Sequence, residues 1–515
     1  MRLPFLLYLL ILKTNSQVTE IKPNIVLIIA DDLGWGDVGF TNKHNSTWIG
    51  AETPHLDNLA AESIVLDNLY TQAMCTPTRA SLMTGKYPFR LGWLFAASVI
   101  LAEDEVLNHR LVTEELSENF GYKVHGVGKW HLGFRYPNTP LGRGFDSFYG
   151  CYGGGIDHFT HEGQIIKING DGSSTWTKVP DFHHDKKTSD NVMISRDISE
   201  VVAGRHSTDL FTEEAVRRIA EHDGTDPMFL YLSYTAPHSP LDPVDHILSN
   251  RNQHIADSTD RQYAAMVTQI DDGIGRIVKT LKERKMWSNT VFMFMSDHGA
   301  SVIRHECWDT VGGSNLPFRD GKATFFEGGI KSAALVWTPW LTPPQRGSHS
   351  TALLHAVDIH TFILAAARDN ISVYQKEEET SSDLDAGSFL VNVVRGDSYP
   401  GRETILHNLV TGPLPGDRVF EYCVGSFPYS ANYAVLRYMN FKLFYGDGVA
   451  SICESDFLVK SCDVFNKTSK TPLMLFDLSV DPFEKTDVAE LYPETVNYMI
   501  QQIKQYKFNA LDAWM

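Results

Sequence analysis

Asn24-Ile25-Val26-Leu27-Ile28-Ile29-Ala30-Asp31-Asp32 is an unbroken apolar run, rich in β-branched residues, that stops on two adjacent carboxylates. A strand that is apolar on both faces has to be covered on both faces, which is the position of an inner strand in a parallel sheet. The same grammar returns three times. Val291-Phe292-Met293-Phe294-Met295 runs into Ser296-Asp297-His298-Gly299, Lys123-Val124-His125-Gly126-Val127-Gly128 into Lys129-Trp130-His131, and Met228-Phe229-Leu230-Tyr231-Leu232 into Thr235-Ala236-Pro237-His238. Helical patterns lie between these runs. Thr53-Pro54 has the form of an N-cap followed by proline at the first helical position, with Leu56, Leu59, Ala60 and Ile64 on one face. Tyr263, Val267, Ile270, Ile274, Ile277 and Leu281 alternate spacings of four and three, the mark of a long amphipathic helix. Alternating strands and helices predict an α/β protein with a doubly wound sheet. Ligands of such sheets sit beyond the carboxyl ends of the strands, so the polar residues that end these runs are expected to meet at one site.

The grammar changes toward the C-terminus. Beyond the acidic stretch Lys376 to Asp385, read as a solvated loop, come Ala434-Val435-Leu436-Arg437-Tyr438, Phe441-Lys442-Leu443-Phe444-Tyr445 and Leu473-Met474-Leu475-Phe476. Short connections between such runs indicate antiparallel pairing. Val496, Met499, Ile500, Ile503 and Tyr506 then mark a final helix. These features divide the chain into a large α/β domain over residues 17–395 and a smaller α+β domain over 396–515. A length of 515 residues exceeds one compact core and supports that division.

Composition narrows the function. With 43% hydrophobic residues the chain has material for a sizeable core, and a net charge of -18 repels a phosphate backbone, so nucleic-acid binding is not expected. Arg2 followed by the apolar run Leu3 to Leu12 and a polar stretch has the layout of a secretory signal peptide over residues 1–16, and no later run is long enough for a transmembrane segment. Sequons at Asn45, Asn370 and Asn466 fit the secretory pathway, with a lysosomal or an extracellular destination. Six cysteines are too sparse for a disulfide scaffold.

One cysteine stands apart, in Cys75-Thr76-Pro77-Thr78-Arg79-Ala80-Ser81-Leu82-Met83-Thr84-Gly85-Lys86. Thr76-Pro77 can start a helix, leaving Cys75 just outside its positive end, where a thiolate or an anion is stabilised. A buried, inert Cys beside an Arg that pairs elsewhere is the commoner state of a lone cysteine.

The spacing C-x-P-x-R, followed by Thr-Gly and a basic residue, resembles the signature of the sulfatase family, whose Cys is oxidised to formylglycine. Thr78 stands where the family more often has Ser. Other segments similar to the family's follow in order: Asp31-Asp32-Leu33-Gly34-Trp35-Gly36-Asp37, Gly128-Lys129-Trp130-His131-Leu132-Gly133, Ala236-Pro237-His238-Ser239-Pro240, Ser296-Asp297-His298-Gly299, and Gly321-Lys322-Ala323-Thr324-Phe325-Phe326-Glu327-Gly328-Gly329. The C-terminal Phe476-Asp477-Leu478 and Asp481-Pro482-Phe483-Glu484-Lys485-Thr486-Asp487 look most like the arylsulfatase B branch, which includes N-acetylgalactosamine 4-sulfatases. Two cysteines usual in that branch after the signature are absent, and the stretches Trp93 to Leu101 and Asp171 to Asp190, which would line an outer pocket, diverge from it.

The resemblance implies an alkaline phosphatase-like fold and a sulfuric ester hydrolase. Its substrates would be a sulfated carbohydrate or an aryl sulfate, and a formylglycine-generating enzyme would act on it during maturation. The metal ligands would be Asp31, Asp32, Asp297, His298 and the formylglycine formed from Cys75, holding Ca2+, with Mg2+ also suited to hard oxygen ligands. His298 takes a position where relatives carry Asn or His. One hydroxyl of the hydrated formylglycine would attack sulfur with Asp297 as base, His238 or Lys322 would meet the leaving oxygen, and His131 would take the second hydroxyl's proton as sulfate departs. Arg79 and Lys129 would hold that diol and balance the carboxylates. Asp37 is read as a structural carboxylate, and His44, His55, His158, His183, His184, His206 and His305 as surface or structural residues. With Cys75 modified, Cys151, Cys307, Cys423, Cys453 and Cys462 remain, and a Cys423 bridge to Cys453 or Cys462 is the expected pairing. Two other readings fit the same residues, a phosphonate or phosphate ester hydrolase of the same superfamily and an inactive secreted glycoprotein that binds sulfated glycans.

Overall fold

The computed structural model describes residues 22–42, 50–91, 109–168, 174–242, 250–302, 312–368, 384–397, 401–410, 433–446 and 473–511. The signal sequence, the three sequons, Trp93 to Leu101, His44, His305, the acidic stretch up to residue 383, and Cys307, Cys423, Cys453 and Cys462 lie outside them.

The described residues build a ten-stranded sheet from β1 (Asn24–Ala30), β2 (Ile64–Leu66), β3 (Lys123–Lys129), β4 (Ser147–Cys151), β5 (His183–Lys187), β6 (Met193–Ile194), β7 (Met228–Ser233), β8 (Thr290–Ser296), β9 (Ala334–Trp337) and β10 (Ser348–Ser350). Their order is β10-β2-β9-β8-β1-β7-β3-β4-β5-β6. The five strands from β8 to β4 run parallel, and antiparallel strands flank them on both sides. All four strands recognised by their polar tails, β8, β1, β7 and β3, stand side by side in that parallel block, so their tails leave from one edge. β1, β7 and β8 are buried along their whole length, as their unbroken apolar sequences require.

The described helices include α1 (Pro54–Ala60), α2 (Cys75–Thr84), α3 (Val112–Asn119), α4 (Ser207–Glu221), α5 (Ser258–Glu283), α6 (Glu327–Ile330), α7 (Val357–Arg368) and α8 (Pro493–Leu511). The α5 helix packs on α1 and α4, while α7 packs on α2 and α3, so two helical groups cover the sheet. Asp257 caps α5 by accepting the N–H groups of Thr259 and Asp260 at 2.8 and 3.0 Å. Thr53 holds the N-cap position of α1 as expected, while Ile64, expected on the same helix, lies in β2. Pro54 opens the helix, but the Thr53 hydroxyl faces the Gly39 N–H, and the cap is supplied by Asp271 of α5, whose carboxylate accepts from His55 N–H at 3.0 Å and Leu56 N–H at 2.7 Å.

Near the C-terminus, β11 (Thr404–Val410), β12 (Tyr433–Tyr438), β13 (Phe441–Gly446) and β14 (Leu473–Asp477) form an antiparallel sheet in sequence order, with α8 packed on it. Its core also takes in Tyr70, Tyr87, Phe325, Phe326 and Ile330 from the first part of the chain. Among the described residues no helix is long and apolar enough to cross a membrane.

Candidate active site

The α2 helix begins at Cys75 itself, with Met74 as the extended residue before it, so the expectation that Cys75 lies outside the helix is corrected. Pro77 then falls in the first turn, where a missing N–H leaves no helical bond unmade. Every residue of α2 is buried, and Gly85, at φ 69°, closes the helix by donating to Ser81 O. Cys75 is 3% exposed.

Around it the strand tails meet. Cys75 Sγ lies 3.2 Å from His298 Nε2, and Asp31, Cys75, Asp297 and His298 bring one ligand atom each within 4.8 Å of one another. The sulfur marks where the oxygens of a formylglycine would stand. Asp32 stands beside this group, its Oδ1 3.2 Å from His298 Nε2 and both its oxygens held by Lys322 Nζ at 2.7–2.8 Å. The Asp32 backbone is left-handed at φ 64°, an unfavourable conformation for a residue with a Cβ. It is held there from two sides, by the Tyr263 hydroxyl donating to its carbonyl at 2.7 Å and by its own N–H donating to Asp297 Oδ1 at 3.2 Å.

The cations are locked as firmly. Arg79 donates to Asp297 Oδ2 at 2.8 Å, to Ser233 Oγ at 2.5 Å, and to Tyr231 and the Lys129 carbonyl at 3.2 Å. Lys129 Nζ donates to Asp31 Oδ2 at 2.7 Å. Burial would raise the Asp31 carboxyl, but Lys129, His238 and Arg79 hold it well below its ordinary value. Burial and the charge of Asp31 raise Asp297 instead. Lys129 and Lys322 stay charged despite burial, because Asp31 and Asp32 face them.

His131, at φ 57°, places its ring 3.2 Å from the Thr76 hydroxyl, and burial together with Lys129 and Arg79 drives its pKa far down. His238 lies 4.0 Å from Asp32 Oδ2, and burial and Lys322 bring it down to about 4. Its Nδ1–H donates to Ser239 O at 2.6 Å, leaving Nε2 toward the site. His298 donates from Nδ1 to Gly299 O at 2.9 Å, which turns its Nε2 toward Asp32 and Asp297, and against the pull of burial their charges raise it to about 9.

The structure thus gathers Asp31, Asp32, Cys75, Arg79, Lys129, His131, His238, Asp297, His298 and Lys322 in one place. The donors fit a divalent cation: two carboxylates and a ring nitrogen converge, and the fully buried Asp31 Oδ1 accepts no hydrogen bond among the described residues. Asp37 is elsewhere, bracing a loop by accepting the Ser314 N–H at 2.9 Å and the Gly34 N–H at 3.2 Å. His183 pairs with Asp181 at 3.1 Å, and His55 lies half-exposed on α1.

Several contributors carried no sequence signal. Ser233 and Tyr231 sit inside a strand run, and nothing in their spacing shows that their hydroxyls reach Arg79. Gly154 is another: a Cβ there would stand 2.6 Å from His131 Nε2. His158 meets the His238 carbonyl at 3.1 Å, outside every segment that resembles the family.

Comparison with known proteins gives the family. A family profile described as Sulfatase matches residues 23–369. Arylsulfatase J of Mus musculus is 30% identical over 504 residues, covering 95% of this chain and 76% of that protein. The N-acetylgalactosamine-6-sulfatase of Mus musculus is 33% identical over 357 residues, covering 67% of this chain and 62% of its own length. Among solved structures, that titled Crystal structure of Ps i-CgsB superposes with a TM-score of 0.69 at 25% identity, covering 94% of this chain and 92% of that one. The chain belongs to the sulfatase family and is a sulfuric ester hydrolase.

Proposed function

We propose that the chain hydrolyses sulfate esters of glycosaminoglycan sugars, such as N-acetylgalactosamine 4-sulfate, or aryl sulfates, with residue 75 as the nucleophile after conversion to formylglycine. The supporting observation is the position of Cys75 Sγ, buried 3.2 Å from His298 Nε2 and in one cluster with Asp31 and Asp297. A sulfated amino sugar enters as substrate class through a relative, the N-acetylgalactosamine-6-sulfatase.

Formylglycine would supply the nucleophile, and a divalent cation, Ca2+ or Mg2+, would supply positive charge for a sulfate ester. Asp31, Asp32, Asp297 and His298 would hold that cation. The chain's own residues set the rest. Three buried carboxylates, Asp31, Asp32 and Asp297, face three permanent cations, Arg79, Lys129 and Lys322, so the side chains alone are near balance and the charge of a dication would tip the site toward an anion. Arg79 orients Asp297, the proposed base, and Lys129 fixes Asp31. Lys322 carries its proton at neutral pH and is the group best able to meet charge on the leaving oxygen. His238 is neutral there and needs the substrate's anion beside it before it can donate. His131, also neutral, is the proposed acceptor of the proton whose loss ejects sulfate. Maturation would require a formylglycine-generating enzyme in the secretory pathway, with a lysosomal or extracellular end point.

Mass analysis of the peptide containing residue 75, paired with turnover of an aryl sulfate, tests the reading. Formylglycine in active protein is expected; an intact thiol in active protein overturns it.

A further inference from the structure

The loop that carries Lys322 is held from two sides. On the inner side Lys322 N–H donates to Ala300 O at 3.0 Å, Ala323 N–H to Ala73 O at 2.8 Å, and Gly299 N–H to Gly329 O at 3.1 Å. A Cβ at Gly299 would stand 1.7 Å from Gly328 O, so the Asp297-His298-Gly299 loop and the Lys322 loop run in backbone contact that only glycine permits.

On the outer side the loop meets the small sheet. Phe326 packs on Phe444 of β13 with ring centroids 4.8 Å apart, and a buried charged cluster lies alongside. Glu484, in the turn after β14, is fully buried. Its Oε2 accepts the Glu327 N–H at 2.6 Å, and its Oε1 pairs with Lys442 of β13 at 2.8 Å. Glu327 shares the same ammonium at 3.1 Å and accepts the Tyr70 hydroxyl at 2.6 Å. Arg319 donates to the Glu484 carbonyl at 2.8 Å.

Desolvation largely cancels the Coulombic gain of such a cluster, so net stability is a poor account of it. Its effect is geometric: it ties residue 327 to one place on the small sheet, five residues from Lys322 along the chain. We propose that Glu484 is a positioning residue for the active-site Lys322, acting through the main chain of Glu327. The inference rests on the sulfate-ester reading of the site. It assigns to the C-terminal part of the chain a share in setting the ammonium on Asp32, and hence in how well the departing oxygen is met.

The test compares wild type, Glu484→Ala and Glu484→Gln on aryl and alkyl sulfates whose leaving alcohols span a range of acidity. Rates are taken per mole of formylglycine, measured by mass analysis, and per mole of folded protein, measured by thermal unfolding. For Glu484→Ala, kcat is expected to fall about tenfold with an activated aryl ester and about a hundredfold or more with an alkyl ester, while KM moves little. Glu484→Gln should lose less, because its amide oxygen still accepts from Glu327 N–H. A loss equal for all leaving groups, one explained by lower formylglycine or folded content, or no loss at all overturns the proposal. If Glu484→Ala does not fold, Glu484→Asp, whose shorter side chain draws the carboxylate back from Glu327 N–H, is read by the same criteria. A wild type inactive on every sulfate ester overturns the underlying reading and this inference with it; a flat series in an active enzyme overturns the inference alone.

Discussion

Replacing Cys75 by Ala removes one sulfur atom from a site whose other members hold one another without it. Arg79, Asp297, Lys129 and Asp31 are paired among themselves, and Lys322 with Asp32. Cys75→Ala is therefore expected to abolish sulfate-ester hydrolysis while leaving folding and secretion intact, checked by activity and thermal unfolding of the secreted protein. Retained activity would remove residue 75 from the mechanism. Arg79 behaves differently: its guanidinium is fully buried against Asp297 and 3.8 Å from Asp31, so its removal strands two carboxylates and acts on the fold as well as the chemistry.

At the scale of elements, two close approaches decide how strands and helices present the site. Gly128, at φ 97° on β3, sits opposite Ser233 of β7, where a Cβ would stand 1.8 Å from the Ser233 carbonyl. Gly128→Ala is expected to cost about 3 kcal/mol, at the upper end of overpacking effects, and to lower activity by shifting Lys129 and the Ser233 support of Arg79. Urea unfolding with a matched assay checks both. Asp271→Ala, which uncaps α1, should cost about 1 kcal/mol with activity nearly unchanged, read from the same unfolding curves. These two positions also show what sequence can and cannot reveal. The strand ends were legible because a strand buried on both faces leaves an unmistakable apolar run, and a polar residue after it has few places to go. The Asp271 cap was not, since it acts across 215–216 positions and an acidic residue on an amphipathic helix reads as solvated. Ser233, Gly154 and Glu484 were hidden for the same reason: their partners are neighbours only in space.

For the whole molecule, the buried titratable groups set a pH response. Burial pushes His125, His206 and His360 down to about 3, 2 and 4, and burial drives His355 and His407 well below the ordinary value, helped by Arg402 and Lys442 respectively. Unfolded histidines take a proton below about 6.5 and these do not, so the stability they contribute is present above that pH and is lost as pH falls. Burial raises Asp37 and Glu484 to about 7 and Asp271 to about 6, which works the other way: their contribution is present below the unfolded carboxylate range and is lost as pH rises through 6 to 7. Among these eight groups the five histidines outweigh the three carboxylates, and stability is expected to fall between pH 7 and pH 5. Urea midpoints at the two pH values check this; a higher midpoint at pH 5 would contradict it. Burial has a consequence in time as well. With 3% of Cys75 exposed and every residue of its helix inside the fold, no second enzyme can reach that side chain once the sheet has closed. If residue 75 is converted as proposed, the conversion has to precede closure of the fold, and the fraction of active molecules would then be set by how long the chain stays open.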